Sequence, residues 1–204
     1  MEATIPQTHA PRRTQAERRA ETRTLLMGTA RRLFLEKGYD RTGMPELVKE
    51  AGLTRGALYH HFEDKEHLFR TIAEEDAQAI GRHIDEKTRD IEDPDQAMEI
   101  GTQAYFDAMA VPGRATILLA LAPAVLGAKQ ARALTATEGS AELRDGLAKA
   151  MPDLNGSTLD ALTDVLSAAF DRAGFEIAQG ADRDAYTEAL FRIIGTLLEG
   201  SAPS

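Results

Sequence analysis

Cysteine is absent from this chain of 204 residues. The absence excludes disulfide bonds, thiolate ligands for a metal ion and a cysteine nucleophile. No apolar run approaches the roughly 18–20 residues that cross a bilayer. No apolar stretch follows the basic residues near the start of the chain, so we expect no secretory signal. These absences predict a folded cytoplasmic protein that does not enter a membrane.

Positive charge is scarce overall and unevenly distributed. The chain has 24 Lys and Arg against 33 Asp and Glu, a net charge of −9, which by itself argues against an acidic partner such as nucleic acid. Residues 1–70 hold 13 of the basic and 10 of the acidic side chains, a net of +3, which leaves 11 and 23, a net of −12, for residues 71–204. This asymmetry predicts a basic N-terminal module that meets the partner and an acidic body with a different task.

Catalytic and metal-binding patterns are also missing. The sequence has no Gly-rich phosphate loop, no G-x-S-x-G elbow and no pair of carboxylates at catalytic spacing. One cluster of polar side chains consists of His60, His61, Glu63 and His67. Its adjacent histidines would diverge by about 100° on a helix, and the cluster matches no zinc pattern. We expect neither an enzyme nor a bound metal or cofactor.

Apolar residues recur at helical spacing along most of the chain, and no segment shows a strand pattern of comparable quality. Pro123 is expected to kink or end the apolar segment 114–126. The other predicted helices cover residues 15–37, 44–51, 54–61, 65–89, 93–110, 128–151, 157–179 and 183–199. The pattern therefore predicts an all-α protein of about nine helices.

Residues 38–69 contain two short predicted helices joined by a turn at Gly52, which is the spacing of a helix-turn-helix. The residues expected to face inward are Met44, Leu47, Val48, Ala51, Leu58 and Phe62. Those expected to project outward from the second helix are Thr54, Arg55, Ala57, His60 and His61. A glycine costs about 1 kcal/mol in a helix interior. Gly56 therefore indicates either a close approach to DNA or a tight packing contact within the protein.

The same residues resemble a known family. The pattern G-Y-x-x-T-x-M-x-x-L-V-x-x-A-G-L-T-x-G-A-L-Y-x-H-F-x-x-K-x-x-L-F, which runs from residue 38 to residue 69, is similar to the DNA-binding domain of TetR-family transcriptional regulators. The resemblance implies an all-helical homodimer that is usually a repressor. We expect a flexible basic arm at residues 1–14, a helix-turn-helix domain at 15–64, and an effector-binding and dimerisation domain at 65–204.

The resemblance also implies roles for individual residues. Those implied to contact double-stranded DNA are Thr42, Thr54, Arg55, Gly56, Ala57, Tyr59, His60, His61 and Lys65. Arg55 is the only long cationic side chain of its helix, so its own chemistry favours a bidentate guanine contact worth ~1–3 kcal/mol of discrimination. Tyr59 has an equal alternative, which is packing within the domain. Two readings, DNA contact or a solvated face, stay open for Arg12, Arg13, Arg18 and Arg19.

The last two predicted helices carry wide apolar stripes. Ser157 or Thr158 is expected to cap the first of them. Such stripes can cover their own core with one face and pair with a second copy through the rest, which builds a four-helix interface; a wholly intramolecular core is the alternative. The residues expected in the dimer interface are Leu162, Leu166, Phe170, Tyr186, Leu190, Ile193 and Leu197.

A pocket for a small-molecule effector is expected within residues 65–204. Its expected lining is apolar, which favours a lipophilic ligand, although an ordinary core position is the alternative for each residue. The expected lining residues are Met98, Thr102, Tyr105, Phe106, Met109, Leu118, Leu121, Val125 and Phe170. The prediction is thus a homodimeric repressor that binds a palindromic operator through residues 54–61 and is released by its effector. The alternative is a helical ligand-sequestering or interaction protein that has lost specific DNA binding.

Overall fold

The structure is a computed structural model that describes residues 14–136 and 138–199. Arg12 and Arg13 of the predicted arm lie outside these ranges. Within them the chain forms ten α-helices, one π-helical segment and no strand, so the all-α prediction is confirmed. The helices are α1 Gln15–Lys37, α2 Met44–Glu50, α3 Arg55–His61, α4 Lys65–Thr88, α5 Pro94–Met109, α6 Ala122–Leu126, α7 Ala128–Thr135, α8 Glu138–Ala150, α9 Gly156–Ala178 and α10 Arg183–Glu199.

The chain separates into two compact units, and the division falls inside α4, between Leu68 and Phe69. We call the part up to Leu68 unit 1 and the part from Phe69 unit 2. The boundary expected from the sequence lies four residues earlier, where α4 begins at Lys65.

Unit 1 is organised around α1. Thr14 begins this helix with a capping box, because its hydroxyl accepts from the Glu17 N–H and the Glu17 carboxylate accepts from the Thr14 N–H. Arg32 near the other end pairs with Glu50 of α2 at 3.0 Å, and Lys37 pairs with Glu46. The largest side chains that unit 1 buries completely are Leu26, Leu33, Phe34, Leu47, Leu58, Phe62 and Leu68.

The turn between α2 and α3 is fixed by a glycine. Gly52 has φ +64°, a left-handed conformation that other residues rarely adopt. Its N–H donates to the carbonyl of Lys49 at 3.2 Å, and the N–H of Leu53 donates to that of Val48 at 3.1 Å. These two bonds form a Schellman motif, which ends α2 and redirects the chain into α3.

Two apolar clusters lie between helices of unit 2 in the described residues. The first joins α8, α9 and α10 through Leu143, Leu147, Met151, Leu159, Leu166 and Ile194. The second joins α5 to α9 and α10 through Phe106, Ala173 and Leu190. No helix of the described residues is both long enough and apolar enough to span a bilayer.

The helical segment around Pro123 does not end at the proline. Residues Thr116–Leu121 are π-helical, with the Ala122 N–H bonded to the carbonyl of Ile117, and α6 follows directly. Proline has no N–H and its ring clashes with the carbonyl four residues back. The wider turn before it accommodates that carbonyl, so the helix does not end at Pro123; the alternative expectation, a kink, stays a prediction.

Two other predictions need correction. The helix expected at residues 128–151 is divided into α7 and α8; Thr135 at the end of α7 and Gly139 in the first turn of α8 have low helix propensity. The cap of α9 is Asn155, whose Oδ1 accepts from the Thr158 N–H at 2.9 Å. An asparagine at this position therefore replaces the expected serine or threonine cap.

Candidate nucleic-acid interface and effector region

The N-terminal end of α3 is open to solvent. Thr54 caps it, with its hydroxyl accepting from the Ala57 N–H at 3.2 Å. Leu58 on the opposite side is completely buried, whereas Arg55 and Gly56 are exposed. The Thr54 hydroxyl still has its own hydrogen to donate. This end therefore presents a hydroxyl donor, a guanidinium and a bare stretch of backbone on one exposed surface.

Gly56 has no packing contact that requires a glycine. A Cβ placed there would meet only the Thr54 Oγ1, at 3.9 Å, which is ordinary van der Waals contact. The alternative left open by the sequence, a tight contact within the protein, is not supported by this geometry. A missing side chain at an exposed helix end is what a closely approaching partner requires.

Tyr59 lies one turn after Arg55 and is 44% exposed. The guanidinium carbon of Arg55 lies 5.4 Å from the centroid of its ring, within the range of a cation–π contact. The ring is therefore partly exposed and contacts the arginine, and its contact with DNA stays a prediction.

Histidines and α1 arginines surround the other end of α3. The rings of His60 and His61 meet edge to face, with centroids 5.4 Å apart. Burial lowers the pKa of His61, and the neighbouring His60, Arg19 and Arg23 lower it further. The Arg23 guanidinium also lies 5.1 Å from the ring centroid of Phe62. Positive charge from α1 therefore lies beside the C-terminal turn of α3.

Thr42 is placed differently from its expected role. It is 1% exposed, and its hydroxyl lies 3.0 Å from the carbonyl oxygen of Gly38 and 3.3 Å from that of Leu33. The side chain thus fixes the loop after α1. The expectation that it contacts phosphate is corrected, because this hydroxyl is enclosed by protein.

Lys65 combines a structural contact with remaining donors. Its Nζ donates to the carbonyl of Tyr39 at 3.0 Å and lies 4.0 Å from the centroid of the Tyr39 ring. An ammonium group has three N–H donors, so one such bond does not prevent a phosphate contact. That contact stays a prediction.

The residues predicted to line an effector pocket are mostly packed into unit 2. Phe106, Met109 and Leu118 are at most 1% exposed, so they are core residues in this structure. The half-buried members are Met98, Tyr105, Leu121, Val125 and Phe170. An open cleft occurs elsewhere, between α4 and α7, and none of the predicted residues lines it. Its polar lining residues on α4 are Glu74, Gln78 and Arg82. They recur every four residues, a spacing that the sequence alone shows.

Tyr105 and Asp171 form a partly buried pair between α5 and α9. The tyrosine hydroxyl donates to the aspartate Oδ1 at 2.7 Å. Burial raises the pKa of Asp171, although the Tyr105 bond partly offsets this, and burial together with Asp171 raises the pKa of Tyr105 well above its ordinary value. Thr102, which precedes Tyr105 by three residues on α5, is also buried. Its Oγ1 has no hydrogen-bond partner among the described residues.

The predicted dimer residues divide between core and surface. Leu166 and Leu190 are 2% and 4% exposed within one chain, so the expectation that they meet a second copy is corrected. Ile193 is 47% exposed, as expected of an interface residue. Val165, which was missed, is 65% exposed. The other predicted members, Leu162, Phe170, Tyr186 and Leu197, are half-buried against the two apolar clusters.

Comparisons with known proteins match both units. The family model described as bacterial regulatory proteins of the tetR family matches residues 26–72. The model described as the tetracyclin repressor-like C-terminal domain matches residues 96–201, more than half of the chain.

Individual relatives agree with these models. This chain is 48% identical over 61 residues to the HTH-type transcriptional repressor BepR of Brucella suis. The match covers 30% of this chain and 29% of that protein. The chain is 40% identical over 65 positions to the repressor AcnR of Corynebacterium glutamicum, covering 32% and 35%. The matched segment thus spans about a third of these curated relatives.

A solved structure resembles nearly the whole chain. A TetR-family transcriptional regulator from Pectobacterium atrosepticum is 28% identical, with a TM-score of 0.62 over 94% of this chain and 99% of that one. The helix-turn-helix of unit 1, the helical unit 2 and the two family models agree. The chain belongs to the TetR family of transcriptional regulators.

Proposed function

We propose that this chain is a transcriptional regulator that reads a specific duplex DNA sequence through α3. The observation that carries the proposal is the exposed pair of Arg55 and Gly56 at the start of this helix. Arg55 has no ion pair within the described residues, so its guanidinium can address the O6 and N7 atoms of guanine. Gly56 permits the backbone to come close to the base edges, and Thr54 and Lys65 supply donors for phosphate.

The proposed direction of control is repression. BepR and AcnR are named repressors, and the tetR-family model that matches residues 26–72 includes the helix-turn-helix of this chain. A regulator bound at an operator excludes other proteins from the same DNA. Repression therefore needs only the DNA-binding surface and no further surface that contacts the transcription machinery.

The proposed active form is a homodimer. Val165 and Ile193 project from α9 and α10, and water contact with such large aliphatic side chains is unfavourable. The smaller exposed residues that flank them on the same faces are Ala161, Ala168, Ala185 and Ala189. Two copies joined through these faces would form a four-helix interface and would present two α3 helices to half-sites about one turn of DNA apart.

Unit 2 is proposed to bind a small-molecule effector that lowers the affinity for the operator. Such an effector acts only if it binds the DNA-free state more tightly than the DNA-bound state. Operator DNA must then weaken effector binding by the same factor.

Selection of bound duplexes from a random-sequence pool tests the proposal with the full chain. Enrichment of a two-fold symmetric sequence is expected. A pool that stays random after repeated rounds would contradict the proposal and favour a ligand-sequestering protein without specific DNA binding.

A further inference from the structure

A cleft of about 450 Å³ opens between α4 and α7, and a volume of this order is typical of small-molecule sites. Its floor is formed by Ala77 and Gly81 of α4, which are both buried. Leu134 and Ala133 of α7, with Ala136 directly after this helix, make the facing wall. The lining residues are Glu74, Ala77, Gln78, Gly81, Arg82, Ala133, Leu134 and Ala136.

The floor of this cleft has unfilled space above Gly81. Gly81 is shielded from solvent, yet a Cβ built on it would meet no atom within 4 Å beyond its chain neighbours and the backbone of its own helix. Buried positions are normally close-packed. A buried glycine with empty space above it therefore marks room for a ligand group.

The α4 wall carries separated opposite charges. Glu74, Gln78 and Arg82 follow each other at four-residue spacing, so they form one stripe on the helix. At a rise of 1.5 Å per residue, the Cα atoms at the two ends of the stripe lie about 12 Å apart. None of the three side chains has a hydrogen bond or ion pair with a residue in the ranges 14–136 and 138–199.

Two other polar residues of α4 in unit 2, Arg70 and Asp76, are engaged with other segments. Arg70 donates to Gln130 of α7. Asp76 pairs with Arg114 at 3.1 Å, and both of these side chains are largely buried. Glu74 and Arg82 are thus available to a ligand, on a helix that the bond from Arg70 to Gln130 joins to α7.

We propose that the cleft binds a dipolar small molecule with an apolar middle. Its carboxylate pairs with Arg82, its ammonium group pairs with Glu74, and its apolar part lies over Gly81 against Leu134. A ligand with one charge satisfies one end of the stripe and leaves the other unpaired. The lipophilic class expected from the sequence rested on residues that do not line this cleft.

Action on DNA is a second step, which rests on the proposed function. The cleft lies on the C-terminal side of the contact between Arg70 and Gln130, along both helices. A ligand that prefers a different separation of α4 and α7 shifts the population of α4 positions. Because α4 begins at Lys65, within unit 1, this shift can alter operator affinity.

Calorimetric titration of the full chain without DNA tests the site itself. The probes are ω-aminooctanoate, octanoate and octylamine, which share a chain length and carry both charges, the negative charge or the positive charge. The dipolar probe is expected to bind at least about tenfold more tightly than either of the others. Equal affinities for the three probes would overturn the proposal.

Charge variants make the test specific. Arg82→Gln and Glu74→Gln are each expected to weaken ω-aminooctanoate binding about tenfold. The double exchange Glu74→Arg with Arg82→Glu is expected to restore binding in the reversed orientation, which a merely structural role of either residue does not predict. Arg132→Gln, which removes an exposed arginine of α7 outside the cleft, is the matched control. Failure of the double exchange to recover affinity contradicts the assigned pairing.

A filled cleft provides an independent variant. Gly81→Leu fills the cleft from a position where an added Cβ has open space, so the melting temperature is expected to be kept while probe binding is lost. Undiminished binding by this variant overturns the site.

The regulatory step has its own test. Release of the selected duplex by ω-aminooctanoate supports this step, and probe binding without any effect on DNA affinity overturns this step alone. A chain that binds the probe but no DNA contradicts the proposed function and leaves the site supported.

Discussion

The guanidinium of Arg55 lies over the ring of Tyr59, with the Cζ atom 5.4 Å from the ring centroid. The two residues are one helical turn apart and both are exposed, so the contact contributes roughly 0.5–1 kcal/mol. It limits the rotamers of a long side chain before any partner arrives. An arginine that is already oriented loses less conformational entropy when it forms a bidentate contact.

Gly56→Ala separates stability from DNA binding. The open space around this position allows a methyl group, so the free energy of unfolding is expected to rise by about 0.4–1 kcal/mol, while operator affinity falls because the methyl group obstructs the approach. Denaturant unfolding and fluorescence anisotropy measure the two effects. Gly28→Ala on α1, which also has open space, should give the stability gain alone. Unchanged operator affinity for Gly56→Ala would remove the close-approach argument.

The pH dependence of DNA binding should depend on His61. Burial and positive neighbours lower its pKa in the free protein, whereas nearby phosphates would raise the pKa in the complex. Binding then takes up a proton, so affinity is expected to increase as pH falls through the interval between the two pKa values. His61→Gln should flatten this slope, and His83→Gln in unit 2 serves as control. An identical slope for His61→Gln would show that this histidine does not face the DNA.

Sequence patterns were sufficient for the elements that local chemistry determines. Gly52, Thr54 and Pro94 mark helix ends, and each has the predicted position in the structure. Patterns were insufficient where tertiary packing selects among similar residues. Leu166 and Val165 are adjacent and equally apolar, yet one is in the core and the other at the surface.

The cleft between α4 and α7 shows the same limit. A pair of helices encloses space only after both have been placed, and α7 was not separated from α8 in the predicted helix 128–151. The apolar residues chosen for the pocket instead fill the core, because hydrophobic character alone does not distinguish a lining position from a packed one. Thr42 illustrates the converse, since a polar residue in a DNA-binding motif is buried and bonded to the backbone.

A charge on the outer face of α9 and α10 should prevent dimerisation. Val165→Glu and Ile193→Glu alter exposed side chains, so helical content is expected to be preserved. In a dimer interface each new carboxylate would be buried without a partner, which is unfavourable. Light scattering after size exclusion should report a dimer for the unaltered chain and a monomer for each variant. Asp145→Lys on α8 is a control for a charge change elsewhere. A monomeric unaltered chain at micromolar concentration contradicts the dimer model.

Asp171→Asn should change how stability depends on pH. Because burial raises the folded-state pKa of this carboxyl above its ordinary value of 3.8, its contribution to stability is complete below pH 3.8 and is lost as pH rises through the raised pKa. Asparagine keeps an acceptor for the Tyr105 hydroxyl and has no charge to bury. The variant should therefore lose less stability between acidic and neutral pH in urea unfolding. Asp160→Asn, which alters an exposed carboxylate of the same helix, should retain the unaltered profile, and a retained profile in Asp171→Asn would contradict the assignment.

The most direct test of DNA reading by α3 is the ratio of the affinities for the selected duplex and a scrambled duplex, measured for the unaltered chain and for Arg55→Lys at one salt concentration. Lysine keeps the positive charge but cannot form the same bidentate contact with guanine. Affinity for the scrambled duplex is expected to be unchanged, while the ratio is expected to fall by about tenfold, in line with ~1–3 kcal/mol for a bidentate base contact. An unchanged ratio would contradict sequence reading by Arg55.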